Sequence, residues 1–250
     1  MSAPAVLIVT GASSGIGAAT ALLAGSRGYA VCVNYRSSST QAEEVAAAIR
    51  KDGGQALAVQ ADVSSEPDVL RLFQTVDREW GPVTALVNNA AVLEPQIRLD
   101  QVDVGRLERI FATNITGSFL CAREAVRRMS TKYGGAGGSI VNVSSGAARW
   151  GAPGEYIDYA ASKGAIDTMT VGLSKEVAAE GIRVNCVRPG FIHTGLHAKG
   201  GEPGRVDRMK VQVPMQRGGN PEEVAAAILW LLSAETSYVS GAFIDVAGGR

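Results

Sequence analysis

Cysteine and histidine are scarce in this chain, and their scarcity removes several chemistries. Three cysteines, Cys32, Cys121 and Cys186, lie far apart in 250 residues, each in an apolar stretch. A thiol so placed behaves as a small hydrophobe, and an odd, dispersed set makes no disulfide framework. The only two histidines, His193 and His197, stand four apart in a Gly-rich loop without a nearby acidic partner. A metal site would need clustered Cys or His, so none is expected. Excess charge is missing too: 24 Lys plus Arg balance 24 Asp plus Glu. Without net charge or a long basic block, binding to nucleic acid or a membrane surface has no electrostatic support. No apolar run approaches the ~18 residues of a spanning helix, and Met-Ser-Ala-Pro-Ala lacks a charged leader region. The expectation is a cytoplasmic protein with reduced thiols.

What the chain does have is enough apolar residue, 46% against 19% charged, to bury one full core. Short β-branched runs alternate with Ala/Leu-rich segments of helical period, the pattern of βαβ units and a parallel sheet. Strands are predicted at Val6–Thr10, Ala30–Asn34, Ala56–Gln60, Ala85–Asn88, Ser139–Ser144, Arg183–Val187 and Phe243–Val246. Helices are predicted near Ile16–Arg27, Gln41–Asp52, Glu66–Trp80, Val104–Ser130, Tyr159–Glu180 and Pro221–Ser233. No repeat or linker interrupts residues 1–250, so the fold class is α/β: one doubly wound domain with a seven-stranded parallel sheet. The Gly/Pro-rich stretch from Pro189 to Pro214 is too long for a simple connection and reads as a substrate loop at about 190–214.

Thr10-Gly11-Ala-Ser13-Ser14-Gly15-Ile16-Gly17 joins the first strand to the first helix. Glycines there allow a tight turn and close approach of a pyrophosphate to the helix N-terminus, which favours anions. The second strand ends Asn34-Tyr35-Arg36 without the acidic residue that would accept the ribose hydroxyls of NAD. Arg36 offers a planar charged fork suited to a phosphate, backed by Ser37, Ser38 and Ser39. NADP(H) is therefore expected in preference to NAD(H).

Tyr159 and Lys163 are four apart, so on a helix the phenol and the ammonium share one face. A tyrosine titrates near about 10, and lowering that by two or three units needs roughly 3–4 kcal/mol. One positive charge ~4 Å away supplies about that much at an effective dielectric near 20. Alone, such a pair also suits a solvated helix surface; the glycine-rich turn and the serines upstream change its meaning.

Together these residues resemble the short-chain dehydrogenase/reductase family, over essentially the whole chain from Val6 to Gly249. The matching motifs are Thr10-Gly11-x3-Gly15-Ile16-Gly17, Asp62-Val63, Asn88-Asn89-Ala90, Asn114, Ser144-Ser145, Tyr159-x3-Lys163 and Pro189-Gly190-x3-Thr194. The run Gly151–Tyr159 is similar to bacterial NADP-dependent members of undefined substrate. The resemblance implies that Asp62 and Val63 contact the adenine, and that Asn88 and Ala90 line the ribose region, with Asn89 more structural. It implies that Asn114 kinks its helix and holds a water beside Lys163. Ser145 would bind the substrate carbonyl, Tyr159 would carry the proton, and Lys163 would also grip the nicotinamide ribose. Pro189, Gly190, Ile192 and Thr194 would flank the nicotinamide. A small carbonyl or alcohol substrate and a homotetramer are further implications.

The chain departs from the family pattern at Ala91, where glycine is usual, and in a serine-to-tyrosine interval one residue longer when counted from Ser145. An inserted residue in the Gly151–Asp158 loop accounts for the latter, with Ser144 the fallback serine. Two rivals stay open. Tyr156 precedes Lys163 by seven, as in enoyl-thioester reductases, and a non-catalytic dinucleotide sensor would keep the fold. Trp150, Phe191 and Met215 are candidates to line the substrate pocket, whereas Met169, Trp230, Leu231 and Leu232 read as core or subunit packing.

Overall fold

The computed structural model describes residues 4–250. Seven parallel strands form one sheet in the order β3-β2-β1-β4-β5-β6-β7: β1 Val6–Val9, β2 Ala30–Tyr35, β3 Gln55–Gln60, β4 Ala85–Asn88, β5 Gly138–Val143, β6 Ile182–Pro189 and β7 Phe243–Val246. The helices are α1 Gly15–Ser26, α2 Ser39–Lys51, α3 Glu66–Trp80, α4 Val104–Phe111, α5 Gly117–Met129, α6 Ala147–Trp150, α7 Ile157–Glu176, α8 Leu196–Lys199, α9 Arg205–Met209 and α10 Pro221–Leu232. The central strands read as continuous apolar runs because both faces are covered. Val-Leu-Ile-Val of β1 is buried at every residue. One face packs with α1, α2 and α10 through Leu7, Val9, Ile49, Ile228 and Leu229. The other packs with α3 and α5 through Ile8, Leu72, Phe73, Leu86 and Met129.

The chain reverses its direction of travel across the sheet between β1, which pairs with β2, and β4, which pairs with β1 on its other side. Open α/β sheets bind ligands at such a switch point, beyond the carboxyl ends of the strands. Every segment discussed below emerges at that end.

The structure departs from the sequence-based elements in three places. The single helix predicted over Val104–Ser130 is split by a π-turn at Ala112–Thr116, which carries the buried Asn114. The helix predicted from Tyr159 begins at Ile157 and ends at Glu176, followed by a 3-10 turn at Ala178–Glu180. The stretch after Pro189 is not structureless, since α8 and α9 lie within it. Among the described residues no helix is long and apolar enough to cross a membrane, and no three His, Cys, Asp or Glu cluster as metal ligands.

Candidate active site

Two hydroxyl and amide side chains stitch the switch point shut at its base. The buried Thr10 hydroxyl accepts from the backbone N–H of Asn89 at 2.9 Å and of Ala90 at 3.0 Å. The Asn89 amide donates back to Thr10 O at 2.8 Å and Gly11 O at 3.1 Å. The turn that rises from this base needs glycine on two counts. Gly11 and Gly15 have φ of 62° and 56°, a left-handed conformation costly for other residues. A Cβ on Gly17 would stand 2.5 Å from Gly11 O and 2.6 Å from Asn89 Nδ2. Asn34, buried, accepts from Gly11 N at 3.2 Å and donates to Ala61 O at 3.1 Å, tying the turn to β2 and to the chain leaving β3.

The N-terminus of α1 has neither a side-chain cap nor an acidic residue in its first turn, so its donors and positive dipole end are open to an anion. It faces a cleft of about 230 Å³. Ser13, Ser14 and Ile16 line that cleft beside Gly11 and Gly15, together with Tyr35, Arg36, Asp62, Val63, Ala90 and Thr194. Positive backbone angles and an uncapped helix end fit the pyrophosphate of a dinucleotide.

Two residues expected there do not line the cleft: the buried Gly17, beneath the turn, and Asn88. Asn88 is buried and donates to Ser118 O at 3.2 Å and Asn142 Oδ1 at 3.0 Å, because the last residue of β4 points into the layer between sheet and α5. Asn89, read as the structural one, lines the cleft.

A second cavity, of about 340 Å³, adjoins the first and is shared by Ser145, Tyr159, Lys163, Pro189, Gly190 and Ile192. The adjacent serines, just beyond the end of β5, take different partners. Ser144 turns inward and donates to Lys163 O at 3.1 Å. Ser145 faces the cavity beside Tyr159, and its hydroxyl accepts from Ala147 N at 3.1 Å. On α7, Lys163 lies below Tyr159 with Nζ 5.7 Å from the ring centre, donating to Val143 O at 2.8 Å. Asp158 pins the first turn: it accepts from Tyr159 N at 2.8 Å and pairs with the buried Arg106.

Electrostatics here correct the simple pairing argument. Burial pushes the Tyr159 phenol up to about 12, against the lowering effect of the Ser145 hydroxyl beside it. Burial pulls the Lys163 ammonium down to about 8. Desolvation therefore outweighs the attraction expected of a bare charge pair, because Lys163 is buried and the half-buried Tyr159 is packed against the cavity wall.

Asn114 sits in the π-turn that splits the helix predicted over Val104–Ser130. Its Oδ1 accepts from Val92 N at 2.8 Å, and its Nδ2 donates to Val92 O at 3.1 Å and Ser162 Oγ at 3.0 Å. The amide clamps the segment after β4 to α7.

The rest of the cavity wall was not legible as function. Trp150 and Phe191 stack in it at 5.8 Å between ring centres, as expected of pocket residues. Met215 does not join them: it is exposed beside a separate hollow of about 300 Å³. Leu93, Glu155, Arg205, His197 and Arg250 line the cavity without any sequence motif marking them. Glu155 bridges Arg205 and Arg208, Glu202 pairs with the same two, and Tyr156 donates to Gly200 O at 2.9 Å. These contacts fasten the loop carrying α8 and α9 against the entry to α7.

The family model described as Enoyl-(Acyl carrier protein) reductase matches residues 11–250. The chain is 59% identical over 246 residues to the "Uncharacterized oxidoreductase YgfF" of Escherichia coli, covering 98% of this chain and 100% of that protein. It is 41% identical to the "Cis-4-hydroxycyclohexanecarboxylate dehydrogenase" of Sinomonas cyclohexanicum, covering 98% and 95%. Among solved structures, a doubly substituted short-chain dehydrogenase/reductase of Serratia marcescens superposes with a TM-score of 0.90 at 30% identity, over 99% of this chain and 98% of that one.

Proposed function

The chain belongs to the short-chain dehydrogenase/reductase family of NAD(P)-dependent oxidoreductases, and from that premise we propose that it interconverts a carbonyl and a secondary alcohol, with NADP(H) as the preferred carrier. The observation that carries this reading is the meeting of Ser145, Tyr159 and Lys163 in one cavity that opens onto the glycine-lined cleft. Gly11, Ser13, Ser14, Gly15 and Ile16, over the buried Gly17, would hold the pyrophosphate on the end of α1, with Asp62 and Val63 against the adenine and Tyr35 and Arg36 at the ribose. Pro189, Gly190, Ile192 and Thr194 would border the nicotinamide.

The bound carrier supplies a hydride to the carbonyl carbon. The protein's part is to bind and protonate the oxygen. Ser145 donates a hydrogen bond to it, and the Tyr159 phenol transfers a proton as charge develops there. A phenol held near about 12 keeps that proton throughout the neutral range, which suits reduction. Alcohol oxidation needs the phenolate and is expected to accelerate as pH rises. Lys163 would hold the ribose, and Asn114 is a positioning residue.

Tyr156, the tyrosine of the enoyl-reductase reading, is buried with its proton committed to Gly200 O. That leaves Tyr159 as the phenol free to serve the cavity, despite the wording attached to the family model.

The carrier preference rests on Arg36, exposed at the cleft with no ion-pair partner among the described residues. Turnover of a carbonyl panel with NADPH and NADH in parallel tests it. The expected result is a kcat/KM favouring NADPH by on the order of 10- to 100-fold, reversed or abolished in Arg36→Asp, since an arginine–phosphate contact is charge-assisted. Equal or better use of NADH by the unaltered protein would contradict it.

A further inference from the structure

Among the described residues four buried side-chain polar atoms lack a hydrogen-bond partner, and two of them, Arg250 Nη1 and His197 Nδ1, belong to residues lining the cavity beside Tyr159. The Arg250 guanidinium lies over Trp150, 4.5 Å from the ring centre, and 5.0 Å from that of Phe191. Stacking on rings fixes the guanidinium plane and leaves its N–H edge for a planar acceptor. Two other cations share the cavity. Arg205 pairs with Glu155 and Glu202, and the Lys163 ammonium donates to Val143 O. The one carboxylate in the wall, Glu155, is shared between Arg205 and Arg208. Like Lys163, Arg250 has no ion pair among the described residues, and with Lys163 assigned to the ribose of the carrier, Arg250 is the cation left for a substrate.

His197 sharpens the polarity of the space. Its Nε2 lies 3.1 Å from Ile192 O, and a carbonyl can only accept, so Nε2 carries the proton. Nδ1 is then a bare acceptor, which turns a carboxylate away. An anion entering the cavity is left with Arg250.

Resting on the carbonyl-reductase reading, we propose that Arg250 receives the carboxylate of the substrate, so that the reaction is reduction of an oxo acid to a hydroxy acid and its reverse. The hydride goes to the carbonyl carbon, the Tyr159 proton goes to its oxygen, and the carboxylate takes no covalent part.

The test uses 2-, 4- and 5-oxohexanoate, each as free acid and methyl ester, with NADPH, the full chain and the variants Arg250→Met and Arg250→Lys. Hydroxyacetone phosphate against hydroxyacetone forms the phosphate arm. At least one acid is expected to exceed its ester in kcat/KM by on the order of 10- to 100-fold, the scale of a charge-assisted hydrogen bond. Arg250→Met removes that advantage through KM, lowering kcat/KM for the acid by far more than for the ester, while Arg250→Lys retains part of it. Esters used as well as acids, equal losses for acid and ester in Arg250→Met, or Arg250-dependent use of the phosphate alone would overturn the proposal. If nothing is turned over, the catalytic reading fails separately, and thermal shift decides the anion site. Stabilisation by an acid but not its ester, lost in Arg250→Met, upholds the site; no such difference refutes it.

Discussion

Lys163 is the residue at which the physical chemistry of the site is most exposed to measurement. Its ammonium is enclosed, donating to Val143 O, and titrates at about 8 instead of 10.5. Between those values the unfolded chain binds more protons than the folded one, so stability rises with pH there. The buried thiols act oppositely. Cys121 and Cys186 are pushed up to about 12 from 9.0, and Cys32 is also raised, so unfolded thiols ionise first and stability falls above that value. Comparing Lys163→Met with the unaltered protein cancels Cys32 and Cys121 and leaves, beside the amine's own titration, only its weaker coupling to Cys186. Any stability advantage of the variant is expected to shrink by ~1 kcal/mol per pH unit between about pH 8 and about pH 10. A difference that stays constant in denaturant titrations across that range would mean the amine is not held as a desolvated ammonium. The sequence made the Tyr159–Lys163 pairing legible, because four residues are about one helical turn. It did not reveal that burial outweighs attraction, which depends on how many other segments enclose the pair.

At the scale of elements, the turn after β1 was readable because its glycines answer a local demand. Gly17 has ordinary helical geometry, and only its surroundings forbid a side chain: Gly11 O at 2.5 Å and Asn89 Nδ2 at 2.6 Å from a built Cβ. Gly172, on the exposed face of α7, has nothing within 4 Å of its own. Gly17→Ala is expected to lower the melting temperature and raise KM for NADPH by on the order of 10-fold or more, since the turn must shift beneath the pyrophosphate. Gly172→Ala should stabilise the protein by about 0.5–1 kcal/mol through helix propensity. Calorimetry and steady-state kinetics on the two variants would refute this account of the turn if Gly17→Ala bound the carrier normally. The π-turn at Ala112–Thr116 was less legible. Its kink was foreseen only through the resemblance at Asn114, and the clamp of that amide on Val92 and Ser162 joins residues distant in sequence. The loop carrying α8 and α9 was least legible, because Glu155, Glu202, Arg205 and Arg208 become a network only once α7 is in place.

For the whole molecule, alternation of β-branched and Ala/Leu-rich segments was sufficient to give seven parallel strands, since each hydrophobic run needs cover on both faces. The strand order then places the loops after β1, β4, β5 and β6 at one end of the sheet, where the glycine turn, Ala90, Ser145 and Thr194 converge. Motif residues were visible because backbone geometry and proton chemistry restrict their identity. The cavity wall was hidden because any residue that packs can form it, as Arg250 and His197 do. The central claim is that this end of the sheet delivers a proton from Tyr159 to a carbonyl oxygen, and the most direct measurement compares Tyr159→Phe with Tyr156→Phe in NADPH-dependent reduction of a carbonyl the unaltered protein accepts. Loss of ~10²–10⁴-fold in kcat for Tyr159→Phe, with Tyr156→Phe still active, is the predicted result. Undiminished carbonyl reduction by Tyr159→Phe would contradict the account.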